Sequence, residues 1–315
     1  MRAAAAAYFD IRIWAAPAGL VNFALLGWLI GLGRAGVAFW LQLGLNLANI
    51  GLALLLGNHL GYGVEGVAAA ALIAEMLAAI AGLAVAWRIA HNLGASAPLA
   101  DILDRPRLAR SLGINGDLVV RSLSGYAPLV MFTSAGAAAG DSTLAANALL
   151  YGLMAIAIYL LDGFAFAAEA LVGRAIGARD PQGFDRAMRI STLWAVVFAV
   201  LLGVAIWLAG PAIIALSAKS AEVQAVAASY IVWVALMPIA GVWCFQLDGI
   251  FTGATRTRDM RNMMVISILI YLAAFAVLSR AFGNHGIWAA YLVLFLARAL
   301  TLGTRLPGLI RAAFA

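Results

Sequence analysis

The stretch LDGIFTGATRTRDMRN, Leu247–Asn262, places a carboxylate inside a long apolar segment that then ends in a run of charged residues. Asp248 is followed by Gly249 and Gly253, which are four residues apart and therefore lie on one face of a helix. An ionisable side chain within a membrane-length apolar segment is costly, so this position calls for a physical explanation.

An earlier stretch, LLGWLIGLGRAG at Leu25–Gly36, repeats the spacing of two glycines and an arginine, with Leu26 where the later copy has Asp248. Counted from start to start, the second copy lies six predicted helices after the first, so both run the same way through the membrane and indicate parallel repeats. In each copy we expect the glycines to let a neighbouring helix approach closely. These glycines are Gly27 and Gly31 in the first copy, and Gly249 and Gly253 in the second.

The composition is that of an integral membrane protein, because 65% of the 315 residues are hydrophobic and only 11% are charged. A soluble domain averages roughly 25% charged residues. The apolar runs reach the length of about 20 residues that a spanning helix needs. The sequence therefore predicts an all-α fold of about nine transmembrane helices. The predicted spans are 11–31, 36–57, 64–87, 112–136, 143–170, 190–209, 223–251, 263–283 and 287–308.

The basic residues alternate between connections, which predicts their side of the membrane. One set of connections contains Arg34, Arg88, Arg105, Arg107, Arg110, Arg174, Arg179, Arg186, Arg189, Arg256, Arg258, Arg261, Arg305 and Arg311, whereas the other set contains only Arg2, Arg12, Lys219 and Arg280. We expect the first set to face the cytoplasm of a multi-pass protein in a bacterial inner (plasma) membrane, with the lipid bilayer as a partner. The net charge of +6 is thus assigned to topology, and no nucleic acid partner is expected.

The same pattern predicts three parts: residues 1–90 as half of a first lobe, residues 91–110 as a cytoplasmic linker, and residues 111–315 as a complete second lobe. The predicted orientation puts the N-terminus outside without a preceding helix. We therefore expect three helices to be missing upstream.

Long strings resemble the multidrug and toxic compound extrusion (MATE) transporters, in the branch of the DNA-damage-inducible protein F. They are LDGFAFAAEALVGRAIGARD from Leu161, GVWCFQLDGIFTGATRTRDMRN from Gly241 and NGDLVVRSL from Asn115. The resemblance implies helices four to twelve of a two-lobed antiporter that exports drugs in exchange for protons or sodium. The family's fifth-helix acid is replaced by Ala53, and its first helix is absent, so the acids of the first-lobe site are missing.

The candidate ion-coupling and cavity residues are Asp248, Asp162 and Glu169. Asp162 and Asp248 have no partner on their own helices, whereas Glu169 lies nearer the surface and can pair with Arg174. Burial disfavours the charged form of a carboxylate, so such groups can exchange protons near neutral pH. Hydrogen bonding between helices is the alternative role.

Two other groups of polar residues are predicted within the membrane. Asp117 and Arg121 lie four apart on one helix and are expected to form an intramembrane ion pair. A set of first-lobe residues is expected to make hydrogen bonds between helices or to line a polar cavity. This set is Asn22, Asn46, Asn49 and Glu75.

The acids favour a cavity between the lobes that holds a drug-like lipophilic cation, which protonation releases. The alternatives are a flippase for a lipid-linked saccharide, which would favour arginines for a pyrophosphate, and a truncated remnant that does not transport. Cys244 is the single cysteine, and the sequence shows neither metal-ligand spacing nor a pairing of nucleophile and base. We therefore expect no enzyme activity, no metal and no cofactor other than the coupling ion, H⁺ or Na⁺, and a monomer.

Overall fold

Long helices form almost all of the computed structural model, which describes residues 2–94 and 104–314. The first part contains α1 (Arg2–Arg12), a 3-10 turn (Ile13–Ala15), α2 (Ala16–Gly31), α3 (Ala35–Leu52) with a π-helical extension (Ala53–His59), and α4 (Gly63–Asn92). The second part contains α5 (Arg105–Ala138), α6 (Asp141–Gly177), α7 (Pro181–Ser217), α8 (Ala221–Gly253), α9 (Thr257–Gly303) and α10 (Leu306–Phe314). The prediction of an all-α membrane fold is confirmed.

Seven helical segments of the described chain are long and apolar enough to cross a membrane, compared with about nine predicted spans. One of them, Thr257–Phe314, covers 58 residues and contains the two predicted spans 263–283 and 287–308. Gly283 separates these two, because its φ of 56° and ψ of −130° interrupt the helix there. The helix Arg105–Ala138 covers the predicted span 112–136 but is not among the seven. Polar residues within it, including Asp117 and Arg121, make it less apolar than the others.

The described chain divides into two compact units, Met1–Asp104 and Arg105–Ala315. The boundary falls within the predicted linker 91–110, of which residues 95–103 lie outside the described residues. In the first unit α4 packs against α1, α2 and α3. Its small core contains Leu29, Ala38 and Ile89.

In the second unit α8 packs against α6, α7 and α9, and α9 also contacts α5. Large buried side chains such as Leu150, Met154, Tyr271 and Trp288 form the core between these helices. The sequence explains the start of α7, because the side chain of Asp180 accepts a hydrogen bond from the backbone N–H of Gly183 at 2.9 Å. Such a cap satisfies one of the donors that a helix leaves free at its start.

The break at Gly283 is held by a buried polar cluster. The amides of Asn147 and Asn284 bond to each other in both directions, at 2.7 and 3.0 Å. The indole N–H of Trp288 donates to the same Asn147 oxygen at 3.1 Å. Because the backbone leaves helical geometry here, these side-chain bonds connect the second half of α9 to α6.

Candidate functional site: a charged cavity in the second unit

A cavity of about 300 Å³ collects the charged side chains of four helices, α5, α6, α8 and α9. Its polar wall contains Arg121, Asp162, Glu169, Asp248, Thr252 and Arg298, and its remaining wall contains Ala165, Phe166, Phe245 and Gly249. The structure thus brings together the three carboxylates that the sequence singled out.

The carboxylates meet because α6 and α8 approach closely at the glycines of α8. A Cβ atom added to Gly249 would overlap the carbonyl oxygen of Ala165, and one added to Gly253 would overlap that of Glu169. Two glycines one turn apart therefore let the backbones touch, which turns Asp248 toward the α6 residues Asp162 and Glu169. The packing role predicted for this glycine pair is confirmed.

The equivalent pair in the first unit has no such neighbour among the described residues. A Cβ atom at Gly27 or Gly31 would meet no atom within 4 Å in the described chain. Among the described residues no helix of the first unit approaches these two glycines, so the packing predicted for them is not found there. Close contacts of the first unit lie at other glycines: a Cβ at Gly66 would lie 2.6 Å from the carbonyl oxygen of Leu56, and one at Gly82 would lie 2.7 Å from a methyl carbon of Leu25.

Asp248 is held by two arginines from different helices. Arg298 of α9 donates to its Oδ2 atom at 2.5 Å, and Arg121 of α5 donates to the same oxygen. The side chains are 14% exposed for Asp248, 13% for Arg298 and 24% for Arg121. Arg298 also lies over the ring of Phe245, with 5.5 Å from its guanidinium carbon to the ring centroid, within the range of a cation–π contact. Asp248 is therefore the counter-charge that lets two guanidinium groups remain in a largely buried position.

Asp162 and Glu169 line the same cavity without such a counter-charge. Neither side chain forms a hydrogen bond or ion pair with any described residue. The predicted alternative, in which Glu169 pairs with Arg174, does not occur, because Glu169 faces the cavity next to α8. Three carboxylates thus share the cavity with two guanidinium groups, so an excess of one negative charge remains when all are ionised.

The predicted ion pair between Asp117 and Arg121 is wrong. Asp117 accepts from Arg261 at 2.5 Å and from the hydroxyl of Thr257 at 3.2 Å, whereas Arg121 bonds to Asp248. Spacing on one helix makes a contact available, but charged groups on neighbouring helices reach these side chains instead. Both residues are therefore neutralised across helix interfaces of the second unit.

The polar residues predicted in the first lobe do not form one cavity within the first unit. Glu75 pairs with Arg12 at 2.7 Å, and Asn22 donates to the backbone oxygen of Glu75 at 3.0 Å. Asn22 thus makes a hydrogen bond between helices, and it lines a small cavity of about 20 Å³. The side chains of Asn46 and Asn49 bond to no described residue. Asn22 and Glu75 thus belong to one cluster with Arg12, whereas Asn46 and Asn49 lie outside it.

Sequence reasoning left the partners of Asp248 unassigned. Arg121 and Arg298 are 127 and 50 residues away from Asp248, and no spacing rule connects positions so far apart. The usable signal is charge balance: acids and arginines within predicted spans must find opposite charges. Among the described residues no group of three or more His, Cys, Asp or Glu side chains is arranged to hold a metal ion.

Fold and cavity define a multi-pass helical membrane protein with an internal charged cavity, and comparisons with known proteins show what it is similar to. The MatE family model matches residues 122–278. The chain is 36% identical over 295 residues to DNA damage-inducible protein F of Escherichia coli K12, covering 94% of this chain and 64% of the relative. It is 26% identical over 312 residues to the chloroplastic Protein DETOXIFICATION 44 of Arabidopsis thaliana, covering 96% of this chain and 57% of the relative.

The fold is also that of solved transporters. A multidrug resistance MATE family transporter in an outward-facing conformation superimposes with a TM-score of 0.87 at 18% identity, covering 98% of this chain and 69% of that one. Over most of its length the chain is therefore similar to proteins of the MATE family. It spans about three fifths of the length of the two curated relatives it matches.

Proposed function

We propose that this chain forms part of a secondary antiporter that exports drug-like cations in exchange for protons or sodium, with the second-unit cavity as its charge-sensitive site. The proposal rests on two carboxylates, Asp162 and Glu169, to which no described residue bonds. They line the same cavity as Asp248, whose charge is balanced by arginine. The descriptions of the relatives, a detoxification protein and a multidrug resistance transporter, support export as the activity.

The two arginines give the cavity a fixed charge of +2, and the ionised carboxylates add negative charge to it. With all three acids ionised, the excess is one negative charge, which attracts a monovalent cation. When Asp162 and Glu169 are both protonated, two guanidinium groups face the single carboxylate of Asp248, and the excess becomes one positive charge. Proton binding therefore repels the cation that the ionised cavity holds, which is the exclusion an antiporter needs. Sodium bound beside the same carboxylates would compete with the cargo in the same way.

The arginine-rich connections support a position in a bacterial plasma membrane with these connections in the cytoplasm. The membrane and small drug-like molecules are the expected partners, and we propose a monomer as the working unit. A flippase for a lipid-linked saccharide is the second candidate, because two guanidinium groups line the cavity. Both arginines contact Asp248, however, so an anionic cargo would have to displace that carboxylate.

Equilibrium binding of rhodamine 6G, a lipophilic monovalent cation, tests the proposal in the purified chain by fluorescence polarisation. We expect Asp162→Asn and Glu169→Gln each to weaken binding about tenfold at neutral pH, the equivalent of ~1.4 kcal/mol. Acidification should weaken wild-type binding and have little effect on the double variant. Asp141→Asn is the matched control, because Asp141 is exposed at the start of the same helix and lies outside the cavity.

Unchanged affinity and unchanged pH dependence in the double variant would contradict a role of these acids in cation binding. Displacement of the dye by sodium at constant ionic strength, with N-methylglucamine as the control cation, identifies the coupling ion as Na⁺. Displacement by pyrophosphate, without an equal effect of sulfate, would instead favour the flippase.

A further inference from the structure

A second and larger cavity, of about 710 Å³, lies at the arginine-rich end of the second unit. It is bounded by the start of α5, the turn between α8 and α9, and α10. Three arginines line it: Arg110 on α5, and Arg256 and Arg258 at the start of α9. None of the three side chains forms an ion pair or side-chain hydrogen bond with any described residue. Three arginines to which no described residue supplies a counter-charge thus line one concave surface.

The acids in the cavity wall do not neutralise these arginines. Both oxygens of Asp117 are occupied, one by Arg261 at 2.5 Å and the other by the hydroxyl of Thr257 at 3.2 Å. Asp259 is the remaining carboxylate of the wall. With Asp117 balanced by Arg261, three positive charges face one negative charge, and the cavity favours an anion.

The start of α9 adds to this preference. Arg256 precedes the first turn, and its side chain does not cap the helix. The residues of that turn, Thr257 to Asp259, line the cavity. The N–H groups of a first turn have no partner within the helix, and the helix dipole favours negative charge at that end. The backbone therefore supports the same ligand charge as the arginines.

Part of the cavity lining is apolar. Leu309, Ala312 and Ala313 of α10 contribute to it, together with Ile114 of α5 and Ile176 of α6. A lining that combines arginines with apolar side chains matches an amphipathic anion with a charged head and a hydrocarbon portion. The cavity volume of about 710 Å³ is many times the ~30 Å³ that one water molecule takes up, so the cavity has room for a ligand larger than inorganic phosphate.

We propose that this cavity binds the phosphate group of an anionic phospholipid, with Arg110, Arg256 and Arg258 on the phosphate and the α10 residues against the acyl chain. Arginine suits this ligand because its planar fork can donate two hydrogen bonds to phosphate oxygens. The proposal does not depend on the transport function, since neither unpaired acid of the smaller cavity lies in this one.

Binding of dioctanoyl phosphatidylglycerol to the purified chain in a neutral detergent, measured by microscale thermophoresis, tests the site. Dioctanoyl phosphatidylcholine and inorganic phosphate are the comparison ligands. We expect the triple variant Arg110→Gln, Arg256→Gln, Arg258→Gln to bind phosphatidylglycerol at least about tenfold more weakly than wild type. The control triple variant, Arg174→Gln, Arg186→Gln, Arg305→Gln, removes the same charge from exposed arginines outside the cavity. Its affinity should remain within about twofold of wild type.

Asp259→Asn gives a second measurement that does not depend on the folding of the triple variant. Removing the one unbalanced carboxylate of the wall should strengthen phosphatidylglycerol binding several-fold. An equal loss in both triple variants, or weaker binding by Asp259→Asn, would overturn the proposal, because the attraction would then be a general effect of surface charge. Phosphatidylglycerol binding far tighter than that of phosphatidylcholine and inorganic phosphate supports the lipid. Equally tight binding of inorganic phosphate, lost in the first triple variant alone, supports the phosphate site and assigns it a soluble ligand.

Discussion

Asp248→Asn should destabilise the second unit, because the amide keeps the size of the side chain but removes the charge that balances two arginines. Breaking a buried ion pair by removing one partner costs about 3–5 kcal/mol. The three side chains are 13–24% exposed, so water screens them partly and we expect the lower end, about 3 kcal/mol. For a unit of this size, that loss corresponds to a fall in melting temperature of roughly 6–12 °C.

Cys244 makes this loss measurable at the site. It is the only cysteine, it is fully buried, and it lies on α8 one turn before Asp248. A maleimide coumarin dye therefore becomes fluorescent only when this part of the unit opens. Melting curves recorded with the dye should shift to lower temperature for Asp248→Asn.

Two controls separate the counter-charge from a general effect of the substitution. Asp162→Asn makes the same change in the same cavity at a carboxylate that no described residue bonds, so its melting temperature should equal or exceed that of wild type. Combining Asp248→Asn with Arg121→Gln and Arg298→Gln should recover much of the loss. If Asp248→Asn and Asp162→Asn melt together at the wild-type temperature, Asp248 is not the counter-charge.

Three further predictions use thermal melting or labelling. Gly249→Ala should lower the free energy of unfolding by about 1–3 kcal/mol through overpacking, whereas Gly27→Ala should leave it unchanged or raise it by up to about 1 kcal/mol. Equal effects of the two variants in tryptophan-fluorescence melts would contradict the unequal packing. Gln246→Leu should stabilise by about 1 kcal/mol in the Cys244 assay, since neither polar atom of this buried amide has a hydrogen-bond partner among the described residues. A loss of stability would indicate that the amide has a partner. In a chain lacking Cys244, a cysteine replacing Lys219 should react with an impermeant maleimide in intact cells, and one replacing Arg179 only after lysis; the reverse would overturn the predicted orientation.

Hydropathy was sufficient to predict the helices, because a bilayer requires long apolar segments with their backbone bonds satisfied internally. It did not predict the continuous segment Thr257–Phe314, in which the polar residues near Gly283 mark a break inside one helical element and not an open loop. The meeting of Asp162, Glu169 and Asp248 was also predictable in outline. An unpaired acid in an apolar segment must face the protein interior, and the glycines beside Asp248 indicated where another backbone approaches.

The partners of the charged residues could not be predicted from spacing. The i, i+4 rule connected Asp117 with Arg121, but this rule describes an isolated helix. Inside a helix bundle, the rotation of each helix decides which neighbour a side chain meets, and here Arg261 and Asp248 are those neighbours. The repeated glycines show the same limit. The two copies are alike in sequence, yet only Gly249 and Gly253 have a backbone against them.

The glycine contact between α6 and α8 also limits how the cavity can move. A slide of one turn along α8 in one direction would bring the side chain of Phe245 opposite the carbonyl of Ala165. The ring would collide with backbone, so shear between these two helices in that direction is blocked. Asp248 therefore stays beside Asp162 and Glu169 unless α8 moves the other way. Movement of α5 and α9, which carry the arginines, changes the cavity without disturbing this contact.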